Sequence, residues 1–108
     1  MNLIQLQTED HRRSVLWFLL YDADYQLSLT MLAHCFEMQG KNISTDTLKT
    51  HAAWLCEQGY ATASNHGGVE CLTLTDRGLE VAKGLVRAVG VRNLRPSELA
   101  DIKAFKGY

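Results

Sequence analysis

Six hydrogen-bonding side chains fall within seven consecutive positions of the chain: Thr45, Asp46, Thr47, Lys49, Thr50 and His51. Threonine hydroxyls both donate and accept, Lys49 supplies an ammonium, and Asp46 accepts. Such a mixture suits recognition of a patterned polar surface rather than bond breaking. A second polar group follows at Asn65-His66-Gly67-Gly68, where glycine backbone N–H groups can approach an anion closely. The usual catalytic constellations are missing: no phosphate-binding glycine loop, nucleophile elbow, His-Glu metal motif or paired carboxylates. The four histidines, His11, His34, His51 and His66, fall on separate segments. We therefore expect a non-enzyme with no cofactor and no small-molecule ligand. Cys35, Cys56 and Cys71 are odd in number and lack CxxC spacing, so the expectation is small buried thiols without disulfide or metal.

With 108 residues, 46% apolar and 21% charged, the composition is that of one ordinary globular domain. Eleven Lys and Arg against twelve Asp and Glu give a net charge of −1, so no global positive field draws the chain to phosphate. Any attraction to nucleic acid must come from a local patch. The longest apolar run, 15–21, is too short to cross a bilayer, and residues 1–8 lack the pattern of a signal peptide. The expected location is cytoplasmic, away from membranes.

The elements that must hold the polar groups can be read from periodicity and caps. A first helix is expected after Thr8 or Asp10; it is apolar nearly all round from Val15 to Leu20 and is ended by Asp22-Ala23-Asp24. Ser28 caps a second, whose Leu29, Leu32, Ala33 and Phe36 form one stripe and which Gly40 stops. After the short link Gly40-Lys41-Asn42-Ile43, Ser44 or Thr45 opens a third helix running to about Gln58, with Gly59 as its stop. Its core face is Leu48, Ala52 and Leu55; Asp46, Lys49, Thr50, Ala53 and Glu57 point outward. Thr47 and Trp54 share a flank, with His51 nearer the core edge. Two strands at 60–64 and 69–75 form a hairpin. Thr75 then caps a fourth helix expected to reach Gly90, with Leu79, Ala82, Leu85, Val86 and Val89 as its stripe. Residues 91–108 form a tail in which Leu99, Ile102 and Phe105 are spaced for a short docking helix.

Residues 43–60, from Ile43-Ser44 through Leu55-Cys56-Glu57-Gln58-Gly59-Tyr60, resemble the recognition helix and following strand of ArsR-type and MarR-type regulators. Leu72-Thr73-Leu74-Thr75-Asp76-Arg77-Gly78 resembles the segment closing the wing in MarR-like and PadR-like proteins. The compact length is also similar to that of small winged-helix proteins carried by bacteriophages and prophages.

The resemblance implies an α+β, mainly α, winged helix-turn-helix domain over 1–90. It would comprise a three-helix core, a two-stranded β-hairpin wing and a fourth helix, with a short tail helix over 91–108. It further implies a dimeric transcriptional regulator that binds double-stranded DNA with helix 44–58 in the major groove. Thr45, Asp46, Thr47, Lys49, Thr50 and His51 occupy the matching positions for base or phosphate contact, and Asn65 and His66 for contact by the wing. Lys49 can reach guanine or phosphate, whereas Asp46 would accept from cytosine N4 and repel phosphate. A winged-helix protein-interaction module is the alternative, favoured by the neutral charge balance, by Trp54 and by surplus apolar surface on the outer helices. That surplus, on the first helix, the fourth helix and the tail, also leads us to expect a homodimer.

Overall fold

A computed structural model of the protein describes residues 2–106. The architecture is α+β and mainly helical, with five helices and a three-stranded antiparallel sheet among the described residues. Helix α1 (Leu3–Tyr21) begins earlier than the expected start after Thr8 or Asp10. The Asn2 side chain accepts from the Gln5 N–H at 2.8 Å, and Gln5 Oε1 accepts from the Asn2 N–H at 3.3 Å. This reciprocal cap satisfies two otherwise unpaired donors and lets the helix start without tertiary support. The C-terminal half of α1 runs through the core, with Val15, Leu16, Leu19 and Leu20 fully buried.

Asp22 ends α1 and takes the N–H groups of Asp24 and Gln26 on Oδ2. Strand β1 (Gln26–Ser28) follows, a third strand where the sequence pattern predicts only the two of the hairpin. Three residues are too few for an alternating pattern to show. What holds β1 is pairing with distant residues, Gln26 with Thr73 and Ser28 with Cys71. Ser28 caps α2 (Leu29–Met38), which buries Leu32 and Phe36. Gly40 stops it in the left-handed region at φ 74°, while the Lys41 N–H returns to the Phe36 carbonyl. Ser44 caps α3 (Thr45–Glu57) by accepting from the Thr47 N–H.

Strands β2 (Ala61–His66) and β3 (Val69–Leu74) pair from Ala61–Leu74 to His66–Val69, giving the sheet order β1-β3-β2. Asn65 and His66 thus belong to β2 rather than to a four-residue link. The turn is Gly67-Gly68 alone, both at positive φ, as a tight hairpin requires. Thr75 caps α4 (Asp76–Ala82), which packs so closely on the residue before β2 that a Cβ at Gly78 would overlap the Tyr60 carbonyl oxygen. Helix α4 does not reach Gly90. Gly84 reverses the chain at φ 80° and the Leu85 N–H returns to Glu80, so Leu85, Val86 and Val89 stand exposed on a loop instead of lining a helical stripe.

Helix α5 (Pro96–Lys106) buries Ile102 completely, and Phe105 stacks on Tyr21 at 4.6 Å while remaining largely exposed. The segment leading into it is fastened to α1. Arg13, buried, donates from Nε to the Arg92 carbonyl at 2.7 Å and from Nη1 to the Val81 carbonyl at 2.8 Å. Arg92 pairs bidentately with Glu98 and donates to Asp10 at 2.8 Å; Lys41 reaches the other Asp10 oxygen at 2.9 Å.

Candidate nucleic-acid interface

Helix α3 is oriented by Leu48, Ala52 and Leu55, which enter the core and turn Thr45, Asp46, Thr47, Lys49, Thr50, Ala53 and Glu57 to solvent. Local hydrogen bonds decide what each hydroxyl can offer. Thr50 Oγ1 donates to the Asp46 carbonyl at 2.9 Å, which leaves it lone pairs to present. Thr47 Oγ1 accepts from Ser44 at 2.8 Å and so keeps its proton for an outside acceptor. A donor, an acceptor and the Lys49 ammonium therefore sit within one turn of helix.

The hairpin and α2 meet this face across a cleft of about 410 Å³, lined by Thr30 and Ala33, by Thr45, Leu48 and Lys49, and by Asn65, Gly68 and Glu70. The fold thus brings together Thr45, Lys49 and Asn65, three residues singled out from the sequence. Asn65 is partly spoken for, because its Oδ1 accepts the Gly68 N–H at 2.8 Å. That N–H is one of the two glycine donors expected to approach an anion, so the turn presents less donor capacity than its glycines suggest. His66 is outside the cleft lining and its Nε2 lies 3.1 Å from Ser64 Oγ.

His51 departs most from its expected role. It is only 5% exposed and faces α1, with its ring 5.5 Å from that of His11. Nδ1 is buried without a hydrogen-bond partner. Burial, then the nearby His11 and Arg12 charges, push its pKa down to about 4, and burial also lowers that of His11. His51 is therefore neutral at ordinary pH. Trp54 is also less available than expected, for the Arg12 guanidinium lies over its ring at 3.8 Å. Sequence reasoning missed Glu70, which adds a carboxylate beside Lys49, and Thr30 at the first turn of α2. Neither carried a motif; only the hairpin's packing against α2 and α3 reveals them.

No protein-family model matches the chain. It is 38% identical over 89 residues to the uncharacterized protein gp26 of Escherichia phage Mu, an alignment covering 82% of this chain and 92% of gp26. The chain belongs to the family of phage Mu gp26. A phage-related origin follows, and among the described residues no helix is long and apolar enough to cross a membrane. The aligned length is enough to take in most of the elements described above, so the relationship concerns the fold as a whole and not one motif.

Proposed function

We propose that the protein is a winged helix-turn-helix protein that binds double-stranded DNA sequence-specifically, acting as a dimeric transcriptional regulator. In this reading α3 enters the major groove and the β2–β3 hairpin is the wing beside it. The observation that carries the reading is the single cleft in which Thr45 and Lys49 of α3 face Asn65 of the hairpin. With Thr47 offering a donor and Thr50 an acceptor, the outward face of α3 has the groups needed to read base edges. His51 is left out of the contact set because it is buried. With Lys49 the one cation lining the cleft, phosphate contact is slight, and a second copy is needed for useful affinity.

The test is a salt titration of wild type, Lys49→Ala and a Thr47→Ala/Thr50→Ala double variant, on a duplex selected from a random library and on unselected duplex. One phosphate-contacting cation per chain gives a shallow slope of log affinity against log salt, about −1 per chain. Lys49→Ala should remove about one unit of it per chain, and the threonine variant should lose preference for the selected duplex with its slope intact. Indistinguishable curves for all three proteins on both duplexes would overturn the reading.

A second reading is favoured by the charge of the same face. Glu70 lines the cleft with Lys49, and Asp46 and Glu57 are exposed on the same helix, an acidic balance that suits a basic protein partner better than a phosphate backbone. A winged-helix module of this kind would show no selected duplex at all.

A further inference from the structure

Between the N-terminal turns of α1 and of α3 lies a cavity of about 310 Å³, lined from α1 by Ile4, Gln7 and His11 and from the α2–α3 link and α3 by Asn42, Thr47 and His51. His51, 5% exposed, has no hydrogen-bond partner among the described residues, and of its two ring nitrogens only Nδ1 is sealed off. Nε2 therefore opens on the cavity that the residue lines. The ring proton belongs there, because on Nδ1 it would be an enclosed donor with no acceptor. We propose that this cavity is a binding site for a nucleobase, held against His11 and His51 and hydrogen-bonded along its edge by Gln7, Asn42 and Thr47. The inference does not rest on DNA recognition by α3, and it departs from the absence of a small-molecule ligand expected from the sequence.

The lining selects the class of ligand. Among the described residues no Asp, Glu, Lys or Arg borders the cavity, so an ionised ligand would leave water without meeting a counter-charge. A metal ion is a poor match, since it needs a bare Nε2 and the described residues bring no three His, Cys, Asp or Glu together as ligands. The His11 and His51 rings are inclined at 68° with centroids 5.5 Å apart, so a flat molecule lying on one meets the other near its edge. Gln7 and Asn42 each hold a donor and an acceptor, the pair by which side-chain amides read base edges. Thr47 keeps its proton for an outside acceptor. Aromatic faces with polar groups at the rim are what an unstacked base requires. The volume lies at the small end of the range for small-molecule sites, which suits one or two fused rings.

Imidazole nitrogen NMR reads the site in the wild-type protein, with His34 and His66, which lie outside the lining, as internal controls. Adenosine, guanosine, cytidine and thymidine are added singly up to about 10 mM; at least one should move the His11 and His51 resonances saturably, with a Kd on the order of 100 μM at the efficiency usual for small ligands. The 5′-monophosphate of that nucleoside should bind no tighter, because no cation lines the cavity. A duplex with one unpaired base, compared with its fully paired counterpart, identifies the source. Movement with a nucleoside means a free ligand, movement with the unpaired base alone means a base delivered by a strand, and either supports the site. Ile4→Trp, at a position 74% exposed, fills the cavity from outside the core and should abolish the movement with the melting temperature unchanged. Gln7→Leu should weaken binding about fivefold, the worth of one hydrogen bond. No saturable movement in either arm, equal movement of all four histidines with a nucleoside, clearly tighter binding of the monophosphate, or binding that survives Ile4→Trp would each overturn the proposal. The salt titration of the α3 variants can fail with this result intact, so the two readings fail separately.

Discussion

Between α1 and the segment leading into α5, Arg13 and Arg92 are held by carbonyls and carboxylates on several sides, whereas the cleft between α3 and the hairpin is lined by one lysine and one glutamate. The same residue types serve opposite ends in the two regions. At the seam, cations are withdrawn from solvent and bond backbone carbonyls on both sides of the reversal after α4, those of Val81 and Arg92. On the α3 face, charge is sparse and exposed. A whole-chain charge balance therefore says little about what the molecule can attract, because much of its positive charge is committed to architecture.

The seam should fail hardest when its centre is removed. Burial, then the charge of Arg92, pull the Arg13 pKa down to about 10, which still leaves it charged at neutral pH. Arg13→Met removes two charge-assisted bonds and leaves the Arg92 carbonyl without that donor, while the Val81 carbonyl keeps the Gly84 N–H, a loss of about 3 kcal/mol in denaturant unfolding. Lys49→Met should stay within about 0.5 kcal/mol of wild type, as exposed positions do. Equal stabilities for the two variants would erase the contrast between the regions.

A smaller and pH-dependent loss is expected at His51, which belongs by sequence to the α3 face and by packing to the core. Its ordinary value is 6.5 and its folded value about 4. Between those the unfolded chain binds more protons, so acid favours unfolding: the contribution is intact above 6.5 and is lost as pH falls toward 4. The full loss is about 3 kcal/mol, reached only at the acid end. His51→Gln should flatten stability across that window, leaving a lesser slope from His11, whose pKa is also lowered. The seam carboxylates act below it. Burial works against the charged form of Asp10, but bonds from Lys41 and Arg92 hold its pKa beneath the ordinary value, and Arg92 does the same for Glu98. A variant whose profile matches wild type from pH 7 to the carboxylate range would place His51 in solvent instead.

The features legible in the sequence are those set by a few neighbouring residues. Ser28, Ser44 and Thr75 cap helices where a short hydroxyl precedes an apolar stripe, and Gly40 and Gly59 stop them. The same local grammar contained signals that went unread: Asn2 with Gln5 begins α1, and Gly84 ends α4 before Gly90. Other features have no local cause. β1 exists because β3 offers it a partner, Arg13 is buried where carbonyls far along the chain accept from it, and His51 is turned inward because α1 crosses beside it. At the candidate site the helix and hairpin were visible separately. Their shared cleft, and the carboxylate that comes with it, required the tertiary arrangement.

Glu70 gives the smallest expected effect and the one that separates the two functional readings most sharply. It lines the cleft with Lys49, and both are exposed, so their field acts largely through water. At a separation of several ångströms in that medium one charge alters the energy of a phosphate by only a fraction of a kcal/mol, corresponding to about a threefold change in affinity per chain. If α3 and the hairpin meet DNA, Glu70→Gln removes a repulsion and should raise affinity about threefold on selected and unselected duplex alike, since the carboxylate opposes the backbone rather than reading a base. If the face meets a basic protein, the same change removes an attraction and weakens binding to that partner. Gln keeps the length of the side chain and an acceptor oxygen, so packing at the cleft is preserved. Fluorescence anisotropy at low ionic strength, where the screening length exceeds the width of the cleft, gives the difference its best chance of being seen. Weaker duplex binding by Glu70→Gln would mean that the carboxylate contacts the DNA itself, as an acceptor for cytosine, and would move base recognition from α3 onto the hairpin.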